Sequence, residues 1–433
     1  MMTDYLRRGA QSSSEWKCGL EAELFGYTQS TLERLDARQL QRVLADFATT
    51  DDRLYYEHDS LLVELCVGGL GHLTIEPGGQ VEFSGRPRKT LNEVARDLAS
   101  FLDRLRAVAN QHGVIFLAAG FDPLRSIVDQ KWFPKMRYAV MRPYLALQGS
   151  RAWDMMTRTC AVQVSLDFDS ESDWFKKFTL GNRLAPIVTA IFANSPFAEG
   201  KLSGYKSTRA AAWLKTDDAR SGLSPLATRD NVTFEDYVAY AMGVPMIFAR
   251  RKGIYTGAPG GILFADFLEN NGAVGLSPIF QDWTDHLTTI FTDARAKPQC
   301  IELRSADGGS LKFALALAAL WKGLFYDGEA LGEALKLMPR LDMASALALR
   351  EDVARRGLAA RAAGIDVLAF AKDLVRIATN GLRRTSPGEV HYLDVLHEMV
   401  LTDEMSPADV LLRNWDGLWH HSMAKVVEYL RVS

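Results

Sequence analysis

The sequence predicts an α+β fold, in which helices cover an antiparallel sheet. Three observations support this class. Segments that alternate polar and apolar residues recur through the first three-quarters of the 433-residue chain. Two long segments, at 91–112 and 173–192, have apolar residues at helical spacing. The last hundred residues read as mostly helical, rich in alanine, leucine and arginine up to residue 372.

Composition and charge exclude several classes of protein. Hydrophobic residues make up 48% of the chain and charged residues 24%, as in a globular enzyme with a sizeable core. The net charge of -3 gives no general nucleic-acid-binding face, and no apolar segment is long enough to span a bilayer. Four dispersed cysteines without a C-x-x-C pair, and a polar lead-in at 1–14, predict a cytoplasmic protein without a signal peptide.

The first predicted element is a strand over 16–27. Its alternation places Glu21 and Glu23 on one face, and Ala22 and Leu24 on the other. The other elements follow in chain order: a helix over 31–48, strands over 61–64, 72–76 and 80–84, a helix over 91–112, strands over 114–120 and 159–167, helices over 173–192 and 234–241, a strand over 299–304, and a helix over 311–326.

One turn is predicted from its composition. Pro77-Gly78-Gly79 joins the strands at 72–76 and 80–84 into an antiparallel hairpin. The chain contains no G-x-G-x-x-G and no Walker A sequence. A Rossmann or P-loop origin for nucleotide binding therefore has no support.

Acidic residues at strand spacing are the main chemical signal. They are Glu21, Glu23, Glu76, Glu82 and Glu302. Carboxylates that share one face of a sheet repel each other, so the face lies in water or binds cations. Magnesium prefers oxygen ligands and bridges carboxylates to phosphates, which points to phosphoryl transfer with Arg304 offsetting charge. The alternative is a solvent-exposed face of an amphipathic strand, and spacing alone leaves both open.

Other polar residues add less. Arg137, Arg142, Arg158 and Arg209 lie beside aromatic or glycine-rich segments, and arginine suits two-pronged binding of carboxylates or phosphates. Each could equally be a solvated surface residue. Cys160 lies in an alternating strand and is expected to be a packed residue rather than a nucleophile. The histidines show no metal-binding spacing, so we expect them to be structural or exposed.

A series of segments between about Lys17 and Asp327 occurs in the order seen in one enzyme family. They are 19–26, 76–85, 120–123, 154–164, 193–197, 207–209 with Trp213, 240–246, 286–291, 301–304 and 306–309. The most specific are Glu-Pro-Gly-Gly-Gln at 76–80 and Asp-Met-Met-Thr-Arg-Thr-Cys at 154–160. With these segments the chain resembles glutamate–cysteine ligases of the plant and proteobacterial type. It is also similar to the actinobacterial ligases of the ergothioneine pathway.

The resemblance implies a fold and a domain organisation. The fold is a cup-shaped antiparallel sheet related to the catalytic fold of glutamine synthetase, with helices outside. The catalytic core is expected over 15–330. A helical C-terminal part over 331–433 is expected to pack on the same domain.

The resemblance also implies a reaction. ATP phosphorylates the γ-carboxylate of glutamate, and an amine, expected to be that of cysteine, attacks the acyl phosphate in a step of glutathione biosynthesis. The alternatives are a sibling ligase that uses another amine and a catalytically silent binding protein. The implied partners are these small molecules, without nucleic acid or membrane, and the chain is expected to be a monomer or homodimer.

The resemblance assigns roles to individual residues. Magnesium is assigned to Glu21, Glu23, Glu76, Glu82 and Glu302; catalysis to Arg304 and Glu302; ATP to Arg304 and Gln163; and substrates to Arg209, Arg137, Met156, Thr157 and Trp213. Two residues depart from the pattern of the plant and proteobacterial members. Ala22 and Leu24 stand where those members usually carry histidine and lysine.

Overall fold

An antiparallel sheet forms the frame of the structure, a computed structural model that describes residues 1–269 and 274–432. Its strands are β1 (Cys18–Thr28), β2 (Arg53–Glu57), β3 (Leu61–Val67), β4 (Gly71–Ile75), β5 (Val81–Gly85), β6 (Val114–Leu117), β7 (Ala161–Leu166), β8 (Ala294–Ala296) and β9 (Ile301–Asp307). The order across the sheet is β8-β9-β7-β1-β5-β4-β3-β2, and β6 pairs with the end of β1. The sheet does not close, and the predicted α+β class is confirmed.

Helices surround the sheet and make up most of the C-terminal part, as predicted. The α-helices are α1 (Met2–Arg7), α2 (Ala37–Phe47), α3 (Leu91–Gln111), α4 (Met136–Ala146), α5 (Ala152–Arg158), α6 (Glu171–Ile191), α7 (Thr208–Trp213), α8 (Phe234–Met242), α9 (Phe264–Glu269), α10 (Phe280–Leu287), α11 (Leu311–Phe325), α12 (Gly328–Leu337), α13 (Met343–Arg356), α14 (Val367–Thr385), α15 (Asp394–Leu396), α16 (Pro407–Asp416) and α17 (Met423–Leu430). A π-helix spans His397–Thr402.

Short two-stranded pairs complete the chain. They are Phe197–Ala198 with Lys201–Leu202, Ser221–Gly222 with Phe291–Thr292, Phe248–Arg251 with Ile254–Gly257, and Arg361–Ala362 with Ile365–Asp366. Within the described residues, no helix is long and apolar enough to cross a membrane.

Two differences from the sequence prediction have local causes. The helix predicted over 31–48 begins only at Ala37, because the Asp36 side chain accepts a hydrogen bond from the Gln39 backbone and caps the helix there. Helix α4 was not predicted, although its buried residues Tyr138, Met141 and Leu145 recur at helical spacing, because Pro143 lies inside the helix and in a sequence indicates a break.

The two faces of the sheet have opposite character. Ala22 and Leu24 of β1 are buried on the face that helices α3 and α11 cover. On the same side, Phe83 of β5 stacks on Phe101 of α3 with ring centroids 4.3 Å apart. Apolar burial of this kind stabilises the fold by about 25 cal/mol per Å². The opposite face, here called the front face, carries Glu21 and Glu23, as the alternation predicted.

The C-terminal helices pack closely on earlier ones. Helix α14 lies against α11 and also contacts α6. Helix α12 runs across the predicted boundary at residue 330. The division into a core over 15–330 and a helical part over 331–433 stays a prediction.

Candidate active site

Carboxylates stand in register across the front face. Glu23 on β1 lies directly opposite Glu82 on β5. Glu82 in turn lies opposite Thr74 on β4, and Thr74 lies opposite Glu64 on β3. Like charges directly opposite each other on paired strands are destabilising. The Glu23–Glu82 pair therefore needs a compensating cation or a proton.

A cavity of about 540 Å³, here called the front cavity, lies over this face. The sheet forms its floor, and its walls come from helices α4 and α5, the Phe248–Gly257 hairpin and the turn between β8 and β9. The sequence-predicted residues that line it are Glu21, Glu23, Glu76, Glu82, Arg137, Met156, Gln163, Trp213 and Arg304. Segments far apart in sequence thus meet at one site.

Three predicted residues do not line the front cavity. Glu302 is fully buried and reaches the cavity only through its cationic neighbours. Arg209 lies behind the wall, where its guanidinium donates to the Arg304 backbone carbonyl at 2.8 Å. Thr157 is fully buried and donates to the Trp153 carbonyl at 2.8 Å. The predicted contacts of Arg209 and Thr157 with substrate stay predictions.

The turn that carries Glu76 is fixed by the Glu-Pro-Gly-Gly-Gln motif. A Cβ at Gly78 would lie 2.3 Å from the Thr157 carbonyl oxygen, so only glycine allows this approach to α5. Gly79 has a φ of +77°, which glycine adopts readily. The Gln80 side chain accepts from the Gly78 N–H at 2.8 Å and donates to the Thr159 carbonyl at 3.0 Å. These contacts pin the turn to α5 and its C-cap residue.

Buried Arg34 fixes the same turn from the other side. Its guanidinium donates to the Gly78 carbonyl at 2.6 Å and to Asp122 at 3.0 Å. The Arg34 guanidinium also lies 4.8 Å from the Phe25 ring centroid on β1. The position of Glu76 relative to β1 is thereby set by the fold itself.

Burial and mutual repulsion disfavour the ionised forms of two glutamates. Burial, followed by the charge of Glu76, raises the pKa of Glu82 to about 7. Burial, followed by the charges of Glu82 and Glu76, raises the pKa of Glu23 well above its usual range. Glu23 accepts hydrogen bonds from the Ala161 N–H at 2.8 Å and from the Gln163 amide at 3.1 Å.

The ionised form of Glu302, in contrast, is favoured by its neighbours. Burial opposes its ionisation, but the charges of Arg295, Lys297 and Arg304 outweigh burial and hold the pKa of Glu302 well below its usual range. Arg295 and Arg304 donate to Glu302 at 2.6 and 2.8 Å, and Lys297 forms a closer ion pair with it. Arg304 also donates to Gln163, which connects it to Glu23.

Sequence reasoning missed several residues of the site. Lys135, Tyr138, Arg250, Arg295 and Lys297 all line the front cavity. A hairpin prediction extending back from 299–304 would have placed Arg295 opposite Glu302, as the β8–β9 register does. No local pattern marks Lys135 and Tyr138, which come from the unpredicted helix α4 and its N-cap.

Trp213 offers the site an unused donor. Its indole Nε1 is buried and finds no hydrogen-bond acceptor within residues 1–269 and 274–432. The Arg209 and Arg304 guanidinium groups lie 5.9 and 6.0 Å from its ring centroid. Buried indole N–H groups usually have a partner, and the contact of Trp213 with substrate stays a prediction.

Two of the candidate arginines and one histidine contact other side chains of the protein rather than the front cavity. Arg142 lies over the Trp132 ring at 4.3 Å, and Arg158 pairs with Asp154 at 2.8 Å. His286 is buried against the Phe264 ring at 4.4 Å, and burial lowers its pKa to about 3. It is neutral near pH 7, in keeping with the expected structural role.

Cys160→Ser is expected to leave most of the turnover intact. Cys160 is fully buried, lies outside the front-cavity lining, and burial raises the pKa of its thiol well above the usual range. A buried thiol of this kind is not a nucleophile, and its replacement by serine should cost roughly 1–3 kcal/mol of stability. Turnover and melting temperature of the variant check this. Complete loss of turnover in a folded variant would contradict it.

The donor chemistry of the front face fits a hard divalent cation. The available ligands are carboxylate oxygens on neighbouring strands, and the ionised forms of Glu23 and Glu82 are disfavoured without an opposing charge. As the described side chains stand, however, no three or more His, Cys, Asp or Glu residues form a group that could hold a metal ion. Binding would therefore require side chains to rearrange.

Comparison with known proteins gives one consistent result. The family model described as glutamate-cysteine ligase family 2 matches residues 17–428. The chloroplastic glutamate–cysteine ligase of Brassica juncea is 39% identical over 428 residues, covering 98% of this chain and 82% of the relative. That of Arabidopsis thaliana is 38% identical over 428 residues, covering 98% and 81%.

A solved structure shares the fold. The glutamate–cysteine ligase of Francisella tularensis, in complex with AMP, superposes with a TM-score of 0.59 at 12% identity. The match covers 93% of this chain and 85% of that one. Fold and sequence comparison thus agree.

Proposed function

Because the chain belongs to glutamate–cysteine ligase family 2, we propose that it joins the γ-carboxylate of glutamate to the amine of cysteine, using ATP and magnesium. The observation that carries this proposal is the register that sets Glu23 directly opposite Glu82 on the floor of the front cavity. Such a pair of carboxylates lowers the stability of the fold when no cation is bound. It becomes useful where a cation must be held beside phosphates.

The reaction has two displacement steps. A γ-carboxylate oxygen of glutamate attacks the terminal phosphorus of ATP, forming an acyl phosphate and releasing ADP. The amine nitrogen then attacks the acyl carbon, phosphate leaves with the electrons of the C–O bond, and the nitrogen loses a proton. Phosphorylation is needed because oxide is too poor a leaving group. Bound magnesium would supply charge stabilisation for the transferred phosphoryl group.

The chain's own residues have distinct parts in this proposal. Glu21, Glu23, Glu76, Glu82 and Glu302 would hold magnesium. Arg304 and Gln163, which contact each other, would bind the phosphates and stabilise charge in transfer. On the α4 side, Lys135 and Arg137 provide positive charge for the carboxylate of a substrate.

The remaining wall of the cavity suits a small soft side chain. Met155, Met156, Trp213 and Phe291 line it. Aromatic rings make favourable contacts with sulfur, and flexible methionines adapt to a small side chain, which supports cysteine as the amine substrate. The departures at Ala22 and Leu24 point away from the front cavity and do not alter it. We place the enzyme in the cytoplasm, in glutathione biosynthesis, as a monomer or homodimer.

ADP release with glutamate and a panel of amines tests the proposal. Cysteine, 2-aminobutyrate and alanine form a graded series in which the thiol is first replaced by a methyl group and a methylene is then removed. We expect the fastest release with cysteine and a product whose mass is that of γ-glutamylcysteine. Fast release with another amine would make the chain a sibling ligase. No release with any amine, in protein that is folded, would support the silent binding reading.

A further inference from the structure

Lys297 lies between two of the proposed magnesium ligands. Its ammonium contacts Glu21 at 3.1 Å and forms a closer ion pair with Glu302. Arg295 and Arg304 also pair with Glu302, but Lys297 is the one of the three that spans to Glu21. The ammonium therefore sits where a cation shared by these two carboxylates would sit.

The other proposed ligands are not neutralised in this way. Glu23 and Glu82 accept hydrogen bonds from neutral donors, namely a backbone N–H, the Gln163 amide and the Thr74 hydroxyl. In the described ranges, no lysine or arginine lies within ion-pair distance of Glu23, Glu76 or Glu82. The five glutamates thus divide into three that have no cationic partner among the described residues and a pair that Lys297 bridges.

The position of Lys297 allows its side chain to move away from Glu21 and Glu302. It follows β8 directly, in the turn where its N–H donates to the Cys300 carbonyl at 2.9 Å. Its side chain is 31% exposed, against 13% for Arg295 and 14% for Arg304. A lysine ammonium is a compact charge on a flexible stem, and it binds phosphate as a point charge.

We propose that Lys297 keeps a divalent cation out of the Glu21–Glu302 position until a nucleotide binds. When phosphates enter the front cavity, the ammonium turns to them and the second metal ion takes its place. The nucleotide-free enzyme then holds metal only at the group formed by Glu23, Glu76 and Glu82. This inference rests on the proposed function, because it assumes that these glutamates bind magnesium beside ATP.

Manganese binding to nucleotide-free protein tests the exchange. The free Mn²⁺ signal in electron paramagnetic resonance, followed through a titration, gives the number of ions bound per chain. Lys297→Met removes the ammonium but keeps a side chain of similar length, so we expect one additional Mn²⁺ per chain. Lys297→Arg keeps the charge and should bind the same number as the wild type.

Two further variants make the result specific. Glu21→Gln, added to Lys297→Met, should remove the additional ion. Lys201→Met changes a lysine outside the front cavity and should bind as the wild type does. If Lys297→Met does not fold, Lys297→Gln provides a second neutral side chain.

The outcomes separate the two proposals. Equal, non-zero Mn²⁺ numbers in the wild type and both neutral variants would overturn the exchange and leave the metal assignment standing. No bound Mn²⁺ in any folded form would overturn the metal assignment as well. An additional ion that survives Glu21→Gln would place the new site elsewhere and also overturn the exchange.

Discussion

Glu82→Gln is expected to remove nearly all ligase activity and, without magnesium, to stabilise the fold. Glutamine keeps the size of the side chain and can still accept the hydrogen bond that the Thr74 hydroxyl donates at 2.6 Å. It loses the charge that faces Glu23 across the β1–β5 pair. Turnover at saturating magnesium should fall by a factor on the order of 100 or more, about 3 kcal/mol of lost transition-state stabilisation.

The effect on stability should depend on pH with a definite sign. The pKa of Glu82 is raised from 4.5 to about 7 in the folded protein, so the fold loses stability relative to the unfolded chain as pH rises from about 4.5 to about 7, and the full penalty is present above pH 7. Below about pH 4.5 both states are protonated and the penalty disappears. The free energy of unfolding of Glu82→Gln should therefore exceed that of the wild type by roughly 1–3 kcal/mol at pH 8, and the gain should shrink as pH falls.

Turnover and denaturant unfolding at several pH values, in the absence of magnesium, measure these effects. Glu33→Gln is a matched control, because it removes the same charge from an exposed residue outside the front cavity. A variant that is less stable than the wild type at pH 8 would mean that Glu82 is not repelled by its neighbours. Near-normal turnover would remove Glu82 from the proposed metal site.

Arg304→Lys is expected to lower kcat by a factor on the order of 100 to 1,000 with a smaller change in the KM for glutamate. The Arg304 guanidinium contacts Gln163 and Glu302 at once, and Gln163 in turn contacts Glu23. Both contacts come from one guanidinium nitrogen, so the rest of the planar group stays free to donate to phosphates. Lysine keeps the charge but has a single ammonium, so holding these contacts leaves it no planar pair of donors for the phosphates. Charge developing on the phosphoryl group would then be less well stabilised.

Steady-state kinetics with glutamate, cysteine and ATP varied in turn separate the possible effects. Arg142→Lys provides the control, since that arginine lies over Trp132 and does not line the front cavity. A kcat within threefold of the wild type would show that one positive charge suffices at this position. A rise only in the KM for glutamate would assign Arg304 to substrate binding instead.

The sequence predicted the sheet face better than it predicted the walls of the cavity. Period-two alternation is a local property, so Glu21 and Glu23 could be placed on one face from β1 alone. Whether Glu23 lies opposite Glu82 depends on the register between β1 and β5, which the sequence of neither strand specifies by itself. The wall formed by α4, with Lys135 and Tyr138, was missed because Pro143 inside the helix reads as a helix break.

The resemblance to a family supplied roles that the residues alone could not, and the structure adds supporting contacts for two of them. Arg209 is assigned to substrate by its motif, which stays a prediction, and its guanidinium also donates to the Arg304 backbone carbonyl. Thr157 belongs to a specific motif. Gly78 packs against its carbonyl, and the turn requires this contact. Motif membership marks residues that a site needs, without distinguishing those that touch the ligand from those that hold it in place.

The pinned turn at Pro77-Gly78-Gly79 has an entropic consequence. Fixing the backbone of a residue costs about 1–2 kcal/mol, and a flexible loop would incur that cost when its ligand binds. Here Arg34, Gln80 and the contact between Gly78 and Thr157 order the turn during folding. The backbone that carries Glu76 is therefore ordered before a ligand binds, and only its side chain has to adjust, so more of the free energy of association remains available for desolvation and chemistry.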